Sequence, residues 1–431
     1  MIRTIAITLA LLTFSGVGRA EETPQSAPPG RYVIQLLNVD AGGELFMRFG
    51  HIAVIVEDRQ LHTKEVYNFG TFDFTDPNLQ FRYARGFLNY WLSIMPLPPM
   101  LNFYRAMGRG ITVRTLNLTA AQAEEVARRL EINARPENAT YAYRHYIDNC
   151  CTRIRDLLDD VLDGAISEAY RNGPTGRTYR YWTYQCLLGM PVMRTIILLI
   201  LSGEIDKPID RWDEEFLPAV FAEDLDNLKI GPNQKPLVLR KERLFDSRGP
   251  TPGEYTPPSE ILTFVILFAV LFLAFALPTA LPKQRWTARA AGLGLTVWGF
   301  VGGFGGLLLL LLWTATTHYD THKNENLLTF LVLHLWLLGP GLKLIFLGRM
   351  QEKTARRMEK YLVFSLALIA LDLLLKIGPF IQSNFEYIAF AAACNGGALA
   401  AIRRLRGNSD VFPPPKSKPE PKKKKTKKKR C

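Results

Sequence analysis

Five apolar stretches in the C-terminal half constrain the fold of this chain more than any other feature. An α-helix needs about 20 mostly apolar residues to cross a bilayer, and the first four stretches reach that length while the fifth is shorter. We therefore predict an all-α transmembrane bundle of about five helices. The predicted spans are 261–281, 291–313, 327–347, 361–381 and 387–402.

The basic residues between these stretches predict the orientation of the bundle. Several Lys and Arg residues follow the first, third and fifth stretches, whereas one lysine follows the second and none follows the fourth. Loops rich in Lys and Arg stay in the cytoplasm. We therefore expect the N-terminal region to lie outside the cytoplasm.

The N-terminus independently predicts export. Arg3 precedes a short apolar run at 5–17, and Gly18-Arg19-Ala20 supplies the small residues of a cleavage site. This arrangement is typical of a secretory signal peptide, with an uncleaved anchor as the alternative. The predicted organisation is a signal peptide at 1–20, a linker at 21–30, an exported domain at 31–257, a transmembrane helical domain at 258–406 and a tail at 407–431.

The end of the chain, from Arg403 onward, carries nearly all of the net charge. Thirteen Lys and Arg residues against two Asp and Glu follow residue 402, which is +11 of the net +13. A lysine-rich tail of this kind cannot bury a core, so we predict that it is disordered and binds anionic lipid of the cytoplasmic leaflet. The body of the chain is close to neutral and the tail lacks interleaved aromatic residues, so we expect no nucleic-acid partner.

The exported domain has patterns of both strands and helices, which predict an α+β fold. Apolar runs at 32–37, 51–56 and 66–69 predict strands, and the second is apolar throughout after its histidine, as in a buried strand. Thr119 and Gln122 form a capping box for a helix at 119–133.

A further helix is predicted to begin at Cys150. Apolar residues recur at helical spacing through Leu162, and Asp148 or Asn149 is the expected cap. In the first turn, the helix dipole and Arg153 favour the thiolate of Cys150, which is the nucleophilic form. The alternative is a structural cysteine or half of a disulfide. The five cysteines, an odd number in an exported chain, leave at least one free thiol unless one pairs between chains.

A cysteine nucleophile needs a base, and His51 at the start of the second strand is the best candidate. A histidine packed in the core is the alternative interpretation. His62 in a polar turn and His145 just before the helix are rival bases. The residues that flank the thiol are candidate donors to a substrate or an oxyanion, and they are Asn149, Thr152 and Arg153.

Three segments together resemble the Lnb family of bacterial envelope proteins, and they are Phe49-Gly50-His51, 66–74 and 148–156. The resemblance implies a periplasmic domain similar to circularly permuted papain-like amidases, followed by membrane helices in the bacterial inner membrane. It implies lipoprotein N-acylation as the activity, with Cys150 rather than Cys151 as the nucleophile and His51 as the base. Cys151 departs from the family pattern, so a disulfide with Cys186 or with Cys150 stays open.

The group that orients His51 is a weaker prediction. Asn68 and Tyr67 are polar residues within the 66–74 segment, and either could hydrogen-bond the second imidazole nitrogen. Tyr67 also fits an aromatic residue of the core, so we favour Asn68.

Two features fit a lipid substrate. The stretch 192–202 is apolar but too short to span a bilayer, which predicts a buried or interfacial helix. An aromatic cluster could line an acyl groove, with ordinary core packing as the alternative, and its members are Phe81, Tyr83, Phe87, Tyr90 and Trp91.

Several ionisable residues of the membrane half are weaker candidates. Asp372 and Lys376 lie on one face of the fourth span, either as a functional pair or as a structural ion pair. His318 and His322 are spaced one helical turn apart but lack a third ligand on that face. We expect no metal and no cofactor.

The preferred hypothesis is a membrane-bound thiol acyltransferase. Cys150 takes an acyl chain from a phospholipid and passes it to the α-amine of a lipoprotein N-terminal cysteine. The donor and the acceptor follow from the resemblance, whereas the thiol and the histidine follow from the residues. The alternatives are a papain-like amidase or peptidase acting on cell-wall or envelope amides, and a non-catalytic envelope scaffold or sensor.

Overall fold

The computed structural model describes residues 30–72, 77–87, 89–248 and 258–412. The predicted signal peptide, nearly all of the linker and the lysine run of the tail lie outside these ranges, as do Asp73 and Phe74 of the family-like segment.

A seven-stranded antiparallel sheet is the centre of the N-terminal domain, in the order β6-β4-β3-β2-β1-β5-β9. The predicted strands are confirmed as β1, β2 and β3, each longer than its apolar run. A separate hairpin joins β7 to β8. The strands are β1 Tyr32–Val39, β2 His51–Asp58, β3 Thr63–Thr71, β4 Asn89–Pro96, β5 Ile111–Leu116, β6 Thr140–Ala142, β7 Lys229–Ile230, β8 Lys235–Pro236 and β9 Val238–Phe245.

Helices cover both faces of this sheet, which explains why β2 is apolar on both. Side chains alternate between faces along a strand. Ile52 and Val54 belong to the core beneath the helices Ala120–Asn133 and Cys150–Val161, whereas Ala53 and Ile55 belong to the core beneath Leu97–Ala106.

The helices of this domain include both that the sequence predicts. Thr119 caps the first of them through the expected capping box with Gln122. In chain order the helices are α1 Leu79–Arg85, α2 Leu97–Ala106, α3 Ala120–Asn133, α4 Pro136–Ala139, α5 Cys150–Val161, α6 Ala165–Tyr170, α7 Tyr179–Cys186, α8 Pro191–Ile200, α9 Arg211–Glu214 and α10 Pro218–Asn227.

The C-terminal region is helical. Its α-helices are α11 Pro258–Ala280, α12 Arg285–Ala315, α13 Leu338–Leu347, α14 Glu352–Leu375 and α15 Phe385–Leu405. Within the described residues, three helical segments are long and apolar enough to cross a membrane, namely Arg285–Ala315, Glu325–Leu347 and Phe385–Leu405. The middle segment begins as 3-10 turns before it continues as α13.

Glycines of α12 let the segment 325–347 pack closely, as their small-residue spacing predicts. A Cβ at Gly303 would lie 2.5 Å from the backbone nitrogen of Leu335, and one at Gly306 would lie 2.2 Å from the carbonyl oxygen of Phe330. Any side chain at either position would therefore push the two segments apart.

The helix α8 joins the two halves of the molecule. It is held by the helical region, because Asn324 Nδ2 donates to the carbonyl oxygen of Leu199 at 3.0 Å and Tyr387 Oη of α15 donates to that of Thr195 at 2.8 Å. Leu198 packs into the core of the helical region. The predicted buried or interfacial helix at 192–202 is thus a mostly half-buried helix that contacts the helical region.

The predicted pair of Asp372 and Lys376 is not a direct ion pair. The ammonium of Lys376 bonds to the carboxylate of Glu325 and, at 2.5 Å, to the carbonyl oxygen of Gln382. Asp372 accepts instead from Thr329 Oγ1 at 2.9 Å. Helical spacing places Asp372 and Lys376 on one face, but the ionic partner of Lys376 is Glu325, which is distant in sequence.

Candidate active site

The N-terminus of α5 presents Cys150 at the end of β2. Asn149 caps this helix as predicted, since its Oδ1 accepts from the backbone nitrogens of Cys151 at 2.8 Å and Thr152 at 2.9 Å. Thr152 Oγ1 in turn accepts from the backbone nitrogen of Asn149 at 2.8 Å, which completes a reciprocal capping box. The cap fixes where the half-buried thiol of Cys150 stands.

His51 is the first residue of β2 and is bonded to Asn68 on the neighbouring β3. The distance from His51 Nε2 to Asn68 Oδ1 is 2.6 Å. A carboxamide oxygen only accepts hydrogen bonds, so Nε2 carries the proton and Nδ1 of the neutral ring is left as an acceptor. Asn68 is held in turn, because its Nδ2 donates to Thr71 Oγ1 at 3.2 Å. Among the described residues, His51 Nδ1 has no hydrogen-bond partner.

Gly70 of β3 marks the point where the candidate residues converge. A Cβ built on Gly70 would lie 3.8 Å from Cys150 Cβ, 4.0 Å from His51 Cε1 and 4.0 Å from Tyr141 Oη. The strand is irregular between Asn68 and Thr71, and Gly70 has a φ of +93°, a conformation that favours glycine. The missing side chain leaves a small space bordered by the thiol, the imidazole and a phenol.

Burial controls the protonation of this pair. It raises the pKa of Cys150 to about 11, against the opposing effect of backbone hydrogen bonds from Ile52, Cys150 and Cys151 and of the positive charge of Arg109. Burial likewise lowers the pKa of His51 to about 4, against the hydrogen bond to Asn68. The resting pair is therefore a neutral thiol and a neutral imidazole. The backbone at the helix start favours the thiolate, as predicted, but desolvation outweighs this effect.

Arg153 does not face the thiol. Its guanidinium is paired with the carboxylate of Asp148 at 2.6 Å and 3.0 Å, and its Cζ lies 3.8 Å from the centre of the Tyr141 ring. Arg153 therefore lies near the site, as predicted, but its side chain packs on the ring of Tyr141 and not against the sulfur of Cys150.

The side chains of Asn149 and Thr152 have no donor left for an oxyanion. Both hydrogens of Asn149 Nδ2 are used, by the carbonyl oxygens of His145 at 2.8 Å and Phe216 at 2.9 Å. The hydroxyl of Thr152 donates to the carbonyl oxygen of Asn149. The backbone is different: within the described part of the chain, no oxygen accepts the N–H of Cys150. That N–H is the available donor at the helix start.

Two site residues escaped sequence reasoning, Arg109 and Tyr141. Both are buried, and both carry a polar atom, Arg109 Nη2 and Tyr141 Oη, that has no partner among the described residues. Arg109 Nε is bound to the carbonyl oxygen of Asp40 at 2.8 Å. Neither residue carries a local sequence signal, since each reaches the site from another strand of the sheet or from the loop before one.

The rival histidines stand in different environments. His62 is an exposed residue of the turn between β2 and β3, with a φ of +54°. His145 is enclosed by aromatic rings, with Phe49 at 4.3 Å and Tyr146 at 4.8 Å between ring centres, and burial lowers its pKa to about 4. Of these three histidines, only His51, the predicted base, borders the space at Gly70.

All four described cysteines are free, so the disulfides left open by the sequence are not formed among them. Cys151 is fully buried in the core that includes Ile154, whereas Cys186 packs in a separate cluster with Tyr146. Cys150 is thus available as a thiol. Among the described residues, no three His, Cys, Asp or Glu side chains are grouped to hold a metal ion.

The predicted aromatic cluster is split. The rings of Tyr90 and Tyr143 stack at 4.5 Å, whereas Phe81 and Phe87 are exposed on either side of Arg85. The side chain of Tyr83 lies outside the described part. Near the site, a cavity of about 570 Å³ runs along α5, lined by Phe69, Arg153 and residues of α3.

The site is linked to the helical region through Arg144. Its guanidinium lies 5.3 Å from the ring of Tyr319, in the loop that follows α12. A second link joins that loop to the end of α1, where the backbone nitrogen of Thr317 donates to the carbonyl oxygen of Arg85 at 2.9 Å. The candidate site is therefore anchored close to one end of the apolar helices.

A comparison with known protein families found one match to the N-terminal domain. The family model of the Lnb N-terminal periplasmic domain matches residues 25–185, a range that contains His51, Asn68, Tyr141 and Cys150. No curated protein and no solved structure matches the chain. The match supports assignment of the N-terminal domain to the Lnb family, and in this chain that domain is followed by helices apolar enough to cross a membrane.

Proposed function

We propose that this protein is a thiol acyltransferase of the bacterial inner membrane, with Cys150 as nucleophile, His51 as base and Asn68 as the residue that orients His51. One observation carries the proposal. The 2.6 Å bond to Asn68 leaves His51 Nδ1 as a proton acceptor beside the space that Cys150 borders. A nucleophile, a base and an orienting group in this order are the requirements of covalent acyl transfer.

In the first step, Cys150 attacks the carbonyl carbon of a phospholipid ester. His51 Nδ1 takes the thiol proton as the carbon–sulfur bond forms. The tetrahedral intermediate then collapses, the ester carbon–oxygen bond breaks, and the leaving alkoxide takes the proton from His51. The products are a lysophospholipid and a thioester on Cys150. A neutral resting pair suits this step, because proton transfer accompanies attack.

In the second step, the α-amine of a lipoprotein N-terminal cysteine attacks the thioester. His51 takes a proton from the amine nitrogen and gives it to the departing sulfur of Cys150. The carbon–nitrogen bond of the amide replaces the carbon–sulfur bond, and the enzyme returns to its starting state. No oxidant, metal or cofactor takes part in either step.

The link between the site and the apolar helices supports membrane-anchored substrates. Arg144, which lines the cavity beside the site, contacts the loop after α12, and Thr317 bonds that loop to the end of α1. The distribution of basic residues in the sequence predicts that this loop faces the periplasm. We extend the proposal to five spans, a cytoplasmic lysine-rich tail that binds anionic lipid, and a catalytic domain with the permuted papain-like fold.

The test is the intact mass of the full-length protein, purified in detergent, after incubation with phosphatidylethanolamine micelles. Wild type is expected to gain the mass of an acyl chain, and hydroxylamine should remove it. Cys150→Ala should gain nothing, whereas Cys186→Ala, which removes another half-buried thiol, should acylate as wild type. A wild-type protein with a reduced, alkylatable Cys150 and no adduct would contradict acyl transfer and favour amide hydrolysis or a scaffold.

A further inference from the structure

Tyr141 presents a buried hydroxyl without a partner at the candidate site. The residue is 6% exposed, and its Oη has no hydrogen bond within the described residues. Buried polar groups in folded proteins almost always find a partner, so an exception calls for an explanation. A hydroxyl kept free in this way is suited to bind an atom that arrives with a substrate.

The hydroxyl points into the space where the reaction would occur. Its Oη, Cys150 Cβ and His51 Cε1 all lie within 4.0 Å of the Cβ position of Gly70. The Gly70 position itself is empty of side-chain atoms. A carbonyl carbon bonded to Cys150 Sγ would bring its oxygen into the neighbourhood of this hydroxyl.

The tyrosine ring is held from three sides, so the hydroxyl does not have to be ordered during the reaction. Arg153 covers one face at 3.8 Å, and Asp148 holds Arg153 in place. Phe69 meets the ring edge-on at 6.2 Å, and β6 is paired with β4 through Tyr141 and Tyr90. A donor fixed in advance stabilises a developing charge without the cost of reorganisation.

The proton stays on this hydroxyl. Burial raises the pKa of Tyr141 above its ordinary value, and Arg153 opposes that shift only in part. Tyr141 is therefore a hydrogen-bond donor at any working pH, and it is not suited to act as a base toward the thiol. Its donor role also complements the backbone N–H of Cys150, which no oxygen of the described residues accepts.

We propose that Tyr141 is a catalytic residue whose hydroxyl, together with the backbone N–H of Cys150, donates a hydrogen bond to the oxyanion of the tetrahedral intermediate. No proton is transferred and no bond to Tyr141 forms or breaks. The inference rests on the proposed acyl transfer through Cys150. It also explains Arg153, which acts as a positioning residue for the ring of Tyr141.

Tyr141→Phe tests the donor directly, because it removes only the unpartnered oxygen. The rate of thioester formation from phosphatidylethanolamine should fall by about a hundredfold to a thousandfold, the usual cost of one oxyanion donor, in the maximal rate and not in the half-saturating lipid concentration. Alkylation of Cys150 by iodoacetamide passes through no oxyanion, so its rate should stay at the wild-type value. The melting temperature should be equal to or above that of wild type.

Tyr67→Phe is the matched control, since Tyr67 is a buried tyrosine of β3 with its ring in the core. It should acylate and alkylate as wild type does. Equal acylation rates for Tyr141→Phe and wild type would overturn the role of Tyr141 alone. A parallel loss of acylation and alkylation would also overturn it, in favour of a structural role. A wild-type protein that never forms the thioester would instead remove the proposed function itself.

Discussion

Two histidines of this molecule, the half-buried His51 in the periplasmic domain and the buried His334 in the helical region, are bonded to asparagines but differ at their second nitrogen. His51 Nε2 lies 2.6 Å from Asn68 Oδ1, and His334 Nε2 lies 3.2 Å from Asn395 Oδ1. His334 Nδ1 is also engaged, 3.0 Å from the carbonyl oxygen of Leu331. The second nitrogen of His51, by contrast, has no partner in the described part of the chain.

The neighbours of the two rings differ in the same way. Asn395 Oδ1 also accepts from Trp298 Nε1 at 3.1 Å, and its Nδ2 donates to Ser365 Oγ at 3.1 Å. Around His51, two buried donors, Tyr141 Oη and Arg109 Nη2, have no partner among the described residues, against one, Tyr361 Oη, beside the ring of His334. A polar network with its members bonded to one another holds helices together, whereas unpaired donors around a nucleophile prepare a place for substrate.

Replacing each histidine by glutamine is the most direct test of the difference between them. His51→Gln should lower thioester formation by roughly a hundredfold to ten-thousandfold, the range of general acid–base catalysis, because glutamine cannot take the thiol proton. His334→Gln should keep the acylation rate and lower the free energy of unfolding by roughly 1–3 kcal/mol, the cost of buried groups left without partners. Acylation rates and chemical denaturation curves would be measured for both. Equal loss of activity in the two variants would contradict the assignment.

The two asparagines provide a finer comparison. Asn68→Ala should lower the rate of acylation by roughly tenfold to a hundredfold, because His51 loses the group that fixes its tautomer. The magnitude is the one found when a group that orients a metal-bound histidine is removed. Asn395→Ala should leave acylation unchanged but reduce stability, since Trp298, His334 and Ser365 lose a shared partner. Initial acylation rates at saturating lipid separate the two outcomes. Full activity of Asn68→Ala would show that strand packing alone orients His51.

The pH dependence of thiol reactivity is the mildest test. Because the pKa of Cys150 is raised to about 11 and that of His51 is lowered to about 4, the thiolate forms only as pH rises toward the alkaline range. The rate of alkylation by iodoacetamide should therefore increase about tenfold per pH unit between about pH 6 and pH 9. Cys150 alkylation would be followed by peptide mass spectrometry, with Cys186 as an internal reference. A rate that is already constant from about pH 5 would indicate a resting thiolate–imidazolium pair.

Much of this arrangement was predictable from local patterns. The strand that begins at His51 and the helix that begins at Cys150, with its Asn149 cap, follow from apolar periodicity and capping preferences. The choice of Asn68 over Tyr67 agrees with the observed bond to His51, although its role in catalysis stays a prediction. These features depend on residues adjacent in sequence or on neighbouring strands.

The errors arose where a contact depends on distant residues. Helical spacing suggested Arg153 for the thiol and Asp372 for Lys376, but Arg153 covers Tyr141 and Lys376 binds Glu325. The protonation state of Cys150 was not predictable for a related reason. The burial that raises the pKa of Cys150 is created by the packing of the whole domain, and no pattern around the residue reports it.

Local sequence patterns predicted three of the strands, the apolar stretches and the thiol at a helix start, because periodicity and capping act over a few residues. Long-range packing brings His51, Gly70, Cys150 and Tyr141 together and leaves the hydroxyl of Tyr141 without a partner among the described residues. Their meeting depends on how β2, β3, β6 and α5 pack. Desolvation and side-chain direction are properties of that packing, and they set the chemistry of the site.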